Sequence, residues 1–420
     1  MNAYQNFSQI YQYPDIFIVM LKAYKYRLYP NQEQSHHLIR AMGSVRYLYN
    51  KALEFKTSHY QQTGKNLTYF DLQNSFLIEQ KKLNEWLKEP SSQSLQMALR
   101  NLDNAFTNFF HKKSKYPKFK SKHNNHHSVQ YPQSIRVDWK SNRVYIPKCG
   151  EVFVVFDRKF EGKIKTCTIS KTPTNKFFIS ILVENNKPLP SKQEITEETS
   201  IGIDLGIKNF AVLSDGQVFN NPKYLRITLN KLKAYQRKLS KKQKGSKNRN
   251  KARIKLAKIF EKLFNQRNDF LHKLSSLIIN SDNQTIILEN LAIGNMLKNH
   301  HLALSISDCG WGMFNNMLEY KAEWNGKNII YIGRFEPSSK MCSNCGNINK
   351  ELTLDIREWD CQNCHTHLNR DVNAAINIKK FGLHSVKNKS ISGQELSEEP
   401  VKISESMEST KQETLVFMQG

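Results

Sequence analysis

Residues 200–216 read SIGIDLGIKNFAVLSDG. Two short apolar runs meet at Gly206, so the stretch predicts two strands joined by a tight turn. Asp204 lies inside the first, between Ile203 and Leu205. A carboxylate among apolar strand residues is costly unless it is paired or bound to a cation. Lys208 is a local partner for it by the plainest reading. Further along, TIILEN (285–290) is a continuous apolar run ending in Glu289. Such runs form parallel strands buried on both faces, and NIIYIG (328–333) is a second one. Between them the apolar spacing turns helical, first through Leu225, Leu229, Leu232, Tyr235 and Leu239, then through Ile254, Phe260, Leu263, Phe270 and Leu274. A break at KGSKN separates these two helices. WGMFNNMLEYKAEWNG (311–326) repeats the pattern through Trp311, Phe314, Leu318 and Ala322. The whole predicts an α/β unit.

Around this unit the chain is strongly basic. Its 420 residues suggest two to four domains, and 63 Lys and Arg against 37 Asp and Glu give a formal charge of +26. That excess repels itself unless a polyanion neutralises it, and nucleic acid is the usual polyanion. An anionic membrane surface is the weaker alternative. No run of 18 apolar residues exists, so no membrane span is expected. The charge is concentrated. Lys223 to Lys258 holds fifteen Lys or Arg and no acid. Charge runs are usually solvated helix faces, but without acids no i,i+4 pair can form. Contact with a phosphate backbone is the better reading. Six Lys between 112 and 122 surround Tyr116 and Phe119 in an extended loop, which suits tracking a strand by charge and stacking.

Toward the N-terminus, YKYRLYP (24–30) reads as a strand ended by Pro30. Residues 31–127 read as helical, most clearly where Leu95, Leu99, Leu102, Phe106 and Phe109 recur at three and four. Residues 128–190 carry short Val-, Ile- and Phe-rich runs expected to form an antiparallel β-barrel or sheet together with 20–30. KPLPSKQEITEE (187–198) is a linker by composition. Residues 1–19 read as an extension, and the apolar segment IFIVM (16–20) is too short for a signal sequence. Residues 386–420, rich in Ser and Glu, read as a disordered tail after a helix ending at Gly382.

Of seven cysteines, Cys149, Cys167 and Cys309 are scattered and four form a pattern. Cys342-x2-Cys345, a fifteen-residue spacer and Cys361-x2-Cys364 match a four-thiolate zinc ribbon over 337–368. Each pair turns two sulfurs toward one ion, and four protein ligands leave no open position, so the zinc is structural. A redox dithiol pair is the less natural reading. His365 and His367 are close enough to replace a thiolate, but read more simply as exposed. An odd cysteine count without a signal sequence predicts a reducing cytoplasm.

Directly after the ribbon, Asp371 lies in the first turn of VNAAINI. Taken alone it favours a helix N-terminus, and Glu289 alone is a loop residue. With Asp204 they make a strand Asp, a strand-end Glu and a helix Asp on one basic α/β unit. Three carboxylates that converge cannot all ionise without cations. Two Mg²⁺ or Mn²⁺ ions about 4 Å apart resolve the repulsion. One activates a water and the other stabilises the leaving 3′ oxygen of a phosphodiester.

GIDLGIKNFAVLSDG, ILENLAIGNM and CSNCG…CQNCHTHLNRDVNAAINI are similar to TnpB proteins, transposon-encoded relatives of type V CRISPR effectors once described as OrfB transposases. YKYRLYPNQEQ and YPKFKSK resemble the N-terminal half of that family, and the likeness spans roughly 20–385. It implies an α+β multidomain protein. An RNase H-like, RuvC-type nuclease domain (199–336 and 369–385) carries the zinc ribbon as an insertion. A wedge-like β-barrel (20–30 and 128–190) carries a helical recognition domain (31–127). The resemblance implies a transposon-derived guide RNA, double-stranded target DNA beside a short flanking motif, and a metal-binding triad at Asp204, Glu289 and Asp371. It leaves room for a companion transposase. His365 stands where Gly is common in the family, and Asn369 where an acid is common. Two other functions share this fold: a transposase acting without RNA, which the same triad serves, and an RNA-guided repressor, which should lack one of the acids. IGIDLGIKNFAVLSDG also looks like the first phosphate loop of actin-like ATPases, but no second phosphate segment follows and the charge is left unexplained.

Overall fold

The computed structural model describes residues 19–123, 127–353 and 355–391. Its N-terminal body contains seven strands: β1 (Val19–Tyr29), β2 (His127–Tyr131), β3 (Arg136–Asp138), β4 (Arg143–Ile146), β5 (Gly150–Val155), β6 (Lys163–Lys171) and β7 (Phe177–Pro188). They lie in the order β2-β6-β7-β1-β5-β4-β3, every neighbouring pair antiparallel. Val19 thus belongs to the sheet rather than to the N-terminal extension; residues 1–18 lie outside the described residues.

The expected barrel does not close. Among the described residues, β2 and β3 at the two ends of the order are not paired with each other. A helix covers the apolar face in place of a closing strand. Tyr26, Leu28, Val129, Ile169, Ile179 and Ile181 pack under Leu38, Ala41 and Met42 of α1 (Gln32–Thr63). That helix begins after Pro30 with a reciprocal cap: Asn31 Oδ1 accepts from Gln34 N at 2.8 Å, and Gln34 Oε1 accepts from Asn31 N at 3.0 Å. It stops at Gly64, whose φ of 66° suits a residue without Cβ. The helices α2 (Tyr69–Asp71), α3 (Leu77–Leu83) and α4 (Ser92–Phe110) complete a bundle. Leu95, Leu99, Leu102 and Phe106 of α4 bury against Leu48, Leu53, Leu72 and Phe76.

The C-terminal body is a second sheet of β8 (Ser200–Leu205), β9 (Asn209–Leu213), β10 (Val218–Asn220), β11 (Thr285–Glu289) and β12 (Asn328–Ile332). Its order is β10-β9-β8-β11-β12. β8, β9 and β10 are antiparallel neighbours, whereas β8, β11 and β12 run parallel. Parallel strands need crossovers. Here α5 (Tyr224–Ser240) and α6 (Lys247–Ile279) lead from β10 to β11, and α7 (Ile293–Met296), α8 (Ala303–Cys309) and α9 (Trp311–Trp324) lead from β11 to β12. A hairpin of β13 (Glu358–Asp360) and β14 (His367–Asn369) precedes the last helix, α10 (Arg370–Ile391).

Side-chain alternation splits this sheet into two faces. Ile201, Ile203, Leu205, Ile286 and Leu288 point toward Leu271, Leu274, Phe314 and Leu318 of α6 and α9. The opposite face meets α10. A Cβ added at Gly202 would lie 2.1 Å from the Ala375 carbonyl oxygen and 2.7 Å from Lys379 N, so only glycine lets helix and strand approach this closely. Gly382 does the same job from the helix side, where an added Cβ would sit 2.4 Å from Ile287 Cγ2. The expected helix end at Gly382 is not found. That residue is buried in a contact, Phe381 and Leu383 pack beside Ile287 and Ile332, and the helix runs on to Ile391. The expected tail therefore starts later than 386, and residues 392–420 lie outside the described residues. Gly202→Ala is expected to lower stability by the upper part of roughly 1–3 kcal/mol for overpacking, because its obstacle is backbone rather than a flexible side chain. Chemical denaturation would show this as a lower midpoint at unchanged slope.

Candidate active site and cysteine cluster

Strand register determines where two of the three singled-out carboxylates lie. Ile203 of β8 pairs with Leu288 of β11 in parallel register. Asp204 and Glu289 each follow by one residue, so they stand side by side at the carboxyl ends of adjacent strands. Asp204 shares its face with Gly202 and Glu289 shares its face with Ile287, and this is the face that α10 covers. Asp371 sits one turn before Ala375, the residue against Gly202, at that same end of the sheet. Asn369 Oδ1 caps α10 by accepting from Asp371 N and Val372 N, each at 3.2 Å.

The site is electrostatically loaded. Burial, then the Glu289 charge, then the Asp371 charge push the Asp204 carboxyl well above the ordinary carboxylate range; Arg370 and Arg357 pull against them. Burial also raises Glu289, opposed by a hydrogen bond from Ser338 Oγ to its Oε1 at 2.8 Å. Asp371 is held by cations and amides. Arg357 Nη1 donates to Oδ1 at 2.9 Å, and Asn209 Nδ2 donates to Oδ2 at 3.4 Å. Asp204 and Asp371 line a cleft of about 530 Å³ whose walls also carry Lys208, Lys223, Arg226, Arg357 and Arg370. A cleft with carboxylates at its floor and cations on its walls suits a polyanion whose reacting group needs divalent ions. Glu289 is not among the residues lining it.

Among the described residues, the only set of three or more such ligands whose atoms all lie within 4.8 Å of one another is Cys342, Cys345, Cys361 and Cys364. The carboxylates form no cluster that tight. Cys342 Sγ and Cys364 Sγ are 3.7 Å apart, and Cys345 Sγ and Cys361 Sγ are 3.5 Å apart. These distances are far too long for disulfides. They match the edge of a tetrahedron with metal–sulfur bonds of about 2.3 Å, which is about 3.8 Å. The four thiols thus fit a single metal ion. Each knuckle turns back on itself: Gly346 N donates to Cys342 O, and His365 N donates to Cys361 O, both at 2.9 Å. His365 adopts a φ of 54° and so takes the role that Gly346 fills at 79°. His367 lies outside the cluster and bonds Asp360 through Nδ1 at 2.8 Å.

The cluster and the carboxylates meet on α10. Asn373 Oδ1 accepts from Ser343 N at 2.8 Å, and its Nδ2 donates to Met341 O at 2.7 Å. Asn377 Nδ2 donates to Ser338 O at 2.8 Å and to Met341 O at 2.6 Å. Sequence reasoning missed Arg357, Ser338, Asn373 and Asn377. The two asparagines at i,i+4 inside an otherwise apolar helix face were the available signal.

The basic run forms the α5–α6 hairpin. Its Lys and Arg side chains are exposed except at Lys223 and Arg249, which are half-buried. Among the described residues none of them forms an ion pair with a carboxylate. Also among the described residues, no helix is long and apolar enough to cross a membrane.

These features define a basic, mixed α/β protein with a cleft lined by Asp204 and Asp371 and a four-thiol cluster that fits one metal ion. Residues 180–300 match a family model described as "Probable transposase" (OrfB_IS605), 311–378 match "Cas12f1-like, TNB domain", and 20–65 match "Helix-turn-helix domain". The last of these folds here as one strand and one 32-residue helix. A Streptomyces pristinaespiralis protein named "Putative RNA-guided DNA endonuclease" is 40% identical over 368 residues, 86% of this chain and 89% of that protein. "Putative RNA-guided DNA endonuclease InsQ" of Escherichia coli (strain K12) is 31% identical over 87% of this chain and 93% of its own length. "TnpB-like protein L79" of Acanthamoeba polyphaga mimivirus is 26% identical over 44% of this chain and 38% of its own. The chain belongs to the TnpB family.

Proposed function

We propose that this protein is an RNA-guided DNA endonuclease of an insertion sequence, cutting through an RNase H-like, RuvC-type domain at Asp204, Glu289 and Asp371. The observation that carries this reading is the register: two acids on adjacent parallel strand ends, facing a helix that brings the third. The strand order supports it, since three antiparallel strands followed by two parallel ones in the order 3-2-1-4-5 is the RNase H arrangement. The names of the relatives support it as well. The three acids hold divalent cations, Mg²⁺ or Mn²⁺, as a pair of ions about 4 Å apart. When bound, these ions supply Lewis acidity for hydrolysis of a phosphodiester. The cations on the cleft walls hold the backbone of the DNA strand, and Asn209 and Arg357 orient Asp371. The four thiols hold one structural zinc ion. Specificity comes from pairing between guide and target, while the α5–α6 hairpin grips a phosphate backbone.

The test is to express the protein with its flanking locus, purify it and sequence the bound nucleic acid. A discrete RNA from the locus is expected, along with Mg²⁺-dependent cutting of matched double-stranded DNA. A preparation without discrete RNA that still joins or transfers DNA strands would show a transposase instead. Changing Lys231, Lys238, Lys241 and Lys255 to Gln should weaken RNA binding. On a log–log plot against salt, the slope should flatten by about 0.7–0.9 for each phosphate no longer neutralised. An unchanged slope would remove the hairpin from the RNA interface.

A further inference from the structure

We propose that Ser338 is a positioning residue for Glu289, and that the cysteine cluster places it there through Asn377. The inference rests on reading Glu289 as a cation ligand. Ser338 lies in the loop after β12, four residues before Cys342, and is 7% exposed. Its hydroxyl donates to Glu289 Oε1 at 2.8 Å. That bond uses one lone pair of Oε1 and restrains rotation of the carboxyl group, which fixes the direction in which its remaining lone pairs can meet a cation. Glu289 comes from the sheet and Ser338 from the loop, so their contact depends on where that loop is held.

Two clamps hold it. The fully buried Asn377 amide donates to Ser338 O and to Met341 O. Asn373, one turn earlier, donates to Met341 O and accepts from Ser343 N. Ser343 lies between Cys342 and Cys345, so the second clamp fastens directly onto the first knuckle. Lys380 Nζ donates to Ser343 O from the same helix. The helix that carries Asp371 therefore grips the metal knuckle along one side. Through Asn377 and Ser338 the knuckle's position reaches Glu289. The arrangement gives the thiol site a use beyond holding its own segment together, since one rigid unit sets two of the three acids.

The experiment uses the full-length, RNA-free protein with its thiol site loaded with zinc. Mn²⁺ is titrated in and the free ion is read by electron paramagnetic resonance. Ser338→Ala should weaken the tighter class of Mn²⁺ binding about tenfold, within the 10–100-fold typical of groups that orient metal ligands. Ser338→Thr keeps the hydroxyl and should restore affinity. Zinc content and thermal midpoint should match the unmodified protein in both variants, which separates positioning from a merely structural role. Glu289→Gln serves as the reference. If Glu289→Gln weakens Mn²⁺ binding and Ser338→Ala does not, the positioning role is overturned and the carboxylate reading stands. If Glu289→Gln also binds Mn²⁺ normally, the carboxylate reading falls and takes this inference with it.

Discussion

Asp204→Asn is expected to abolish divalent-dependent DNA cleavage while making the cation-free protein more stable. The two effects share one cause. Asp204 sits on a strand with Glu289 beside it and Asp371 above it, and its burial and their charges push its carboxyl well above the ordinary range. An acid held in this way resists ionising in the folded chain. Removing a group that holds catalytic cations forfeits several kcal/mol of transition-state stabilisation, so a loss of about 10³-fold or more follows from the exponential dependence of rate on barrier. Stability moves the other way. A raised folded-state pKa means that the folded chain binds the proton more tightly than the unfolded chain. The carboxyl then costs stability as pH rises from the unfolded value, about 4, through the folded one. The Asn variant is relieved of that cost at neutral pH, and its advantage should shrink to nothing in acid below about pH 4. Melting curves without divalent ions should show a higher midpoint at pH 7, by about 2–4 °C for each kcal/mol recovered. Guide RNA affinity should stay near that of the unmodified protein. Retained cutting in Asp204→Asn, or a lower midpoint at pH 7, would contradict the convergence of charge on which the site is built.

What sequence alone revealed divides along a physical line. Asp204 was visible because a carboxylate between Ile203 and Leu205 is an energetic anomaly, and Glu289 because it ends an apolar run. The four cysteines were visible because two short spacings encode two knuckles, and the structure brings their sulfurs together. The parallel strands were visible as continuous apolar runs and the α5–α6 hairpin through helical spacing, and both are local properties. The missed residues depend on what they touch across long stretches of chain. Asn377 and Ser338 are 39 residues apart, and Arg357 and Asp371 are 14 apart. No spacing rule reports such contacts. Gly382 misled for a related reason. A glycine late in a helix reads as a stop, yet this one is small because Ile287 lies against it. Barrel closure failed similarly, since alternation says which face of a strand is apolar but not whether α1 or another strand will cover it.

Cys361→Ser should cost the protein its zinc and its nuclease activity together, although Cys361 touches no carboxylate of the cleft. The core around the cluster is tiny: Leu352, Trp359 and Leu368 with the buried Cys342 and Cys361. So few apolar side chains cannot offset the entropy of ordering the segment between the two knuckles. In the proposed zinc site the metal supplies the difference, structural zinc in small finger peptides being worth about 10–16 kcal/mol of apparent binding energy at neutral pH. Losing a thiolate should therefore lower zinc content from about one per chain to near zero and melt residues 340–369 as a local unit. The sheet, with its core on α6 and α9, should survive. Hydrogen exchange should then report weakened protection from the knuckles into the first turns of α10, where Asn373 and Asn377 are deprived of Met341 and Ser343. Arg357 is in the melted segment and Asp371 is its partner, so Asp371 loses the side chain that orients it and cleavage should fall by at least about tenfold, the low end for loss of a group that orients a metal ligand. The RNA binding proposed for the α5–α6 hairpin should persist, because the hairpin packs through its own apolar cluster of Leu225, Leu232 and Leu263. A Cys361→Ser protein that cuts DNA normally without zinc would show that the cluster is a bystander to the site.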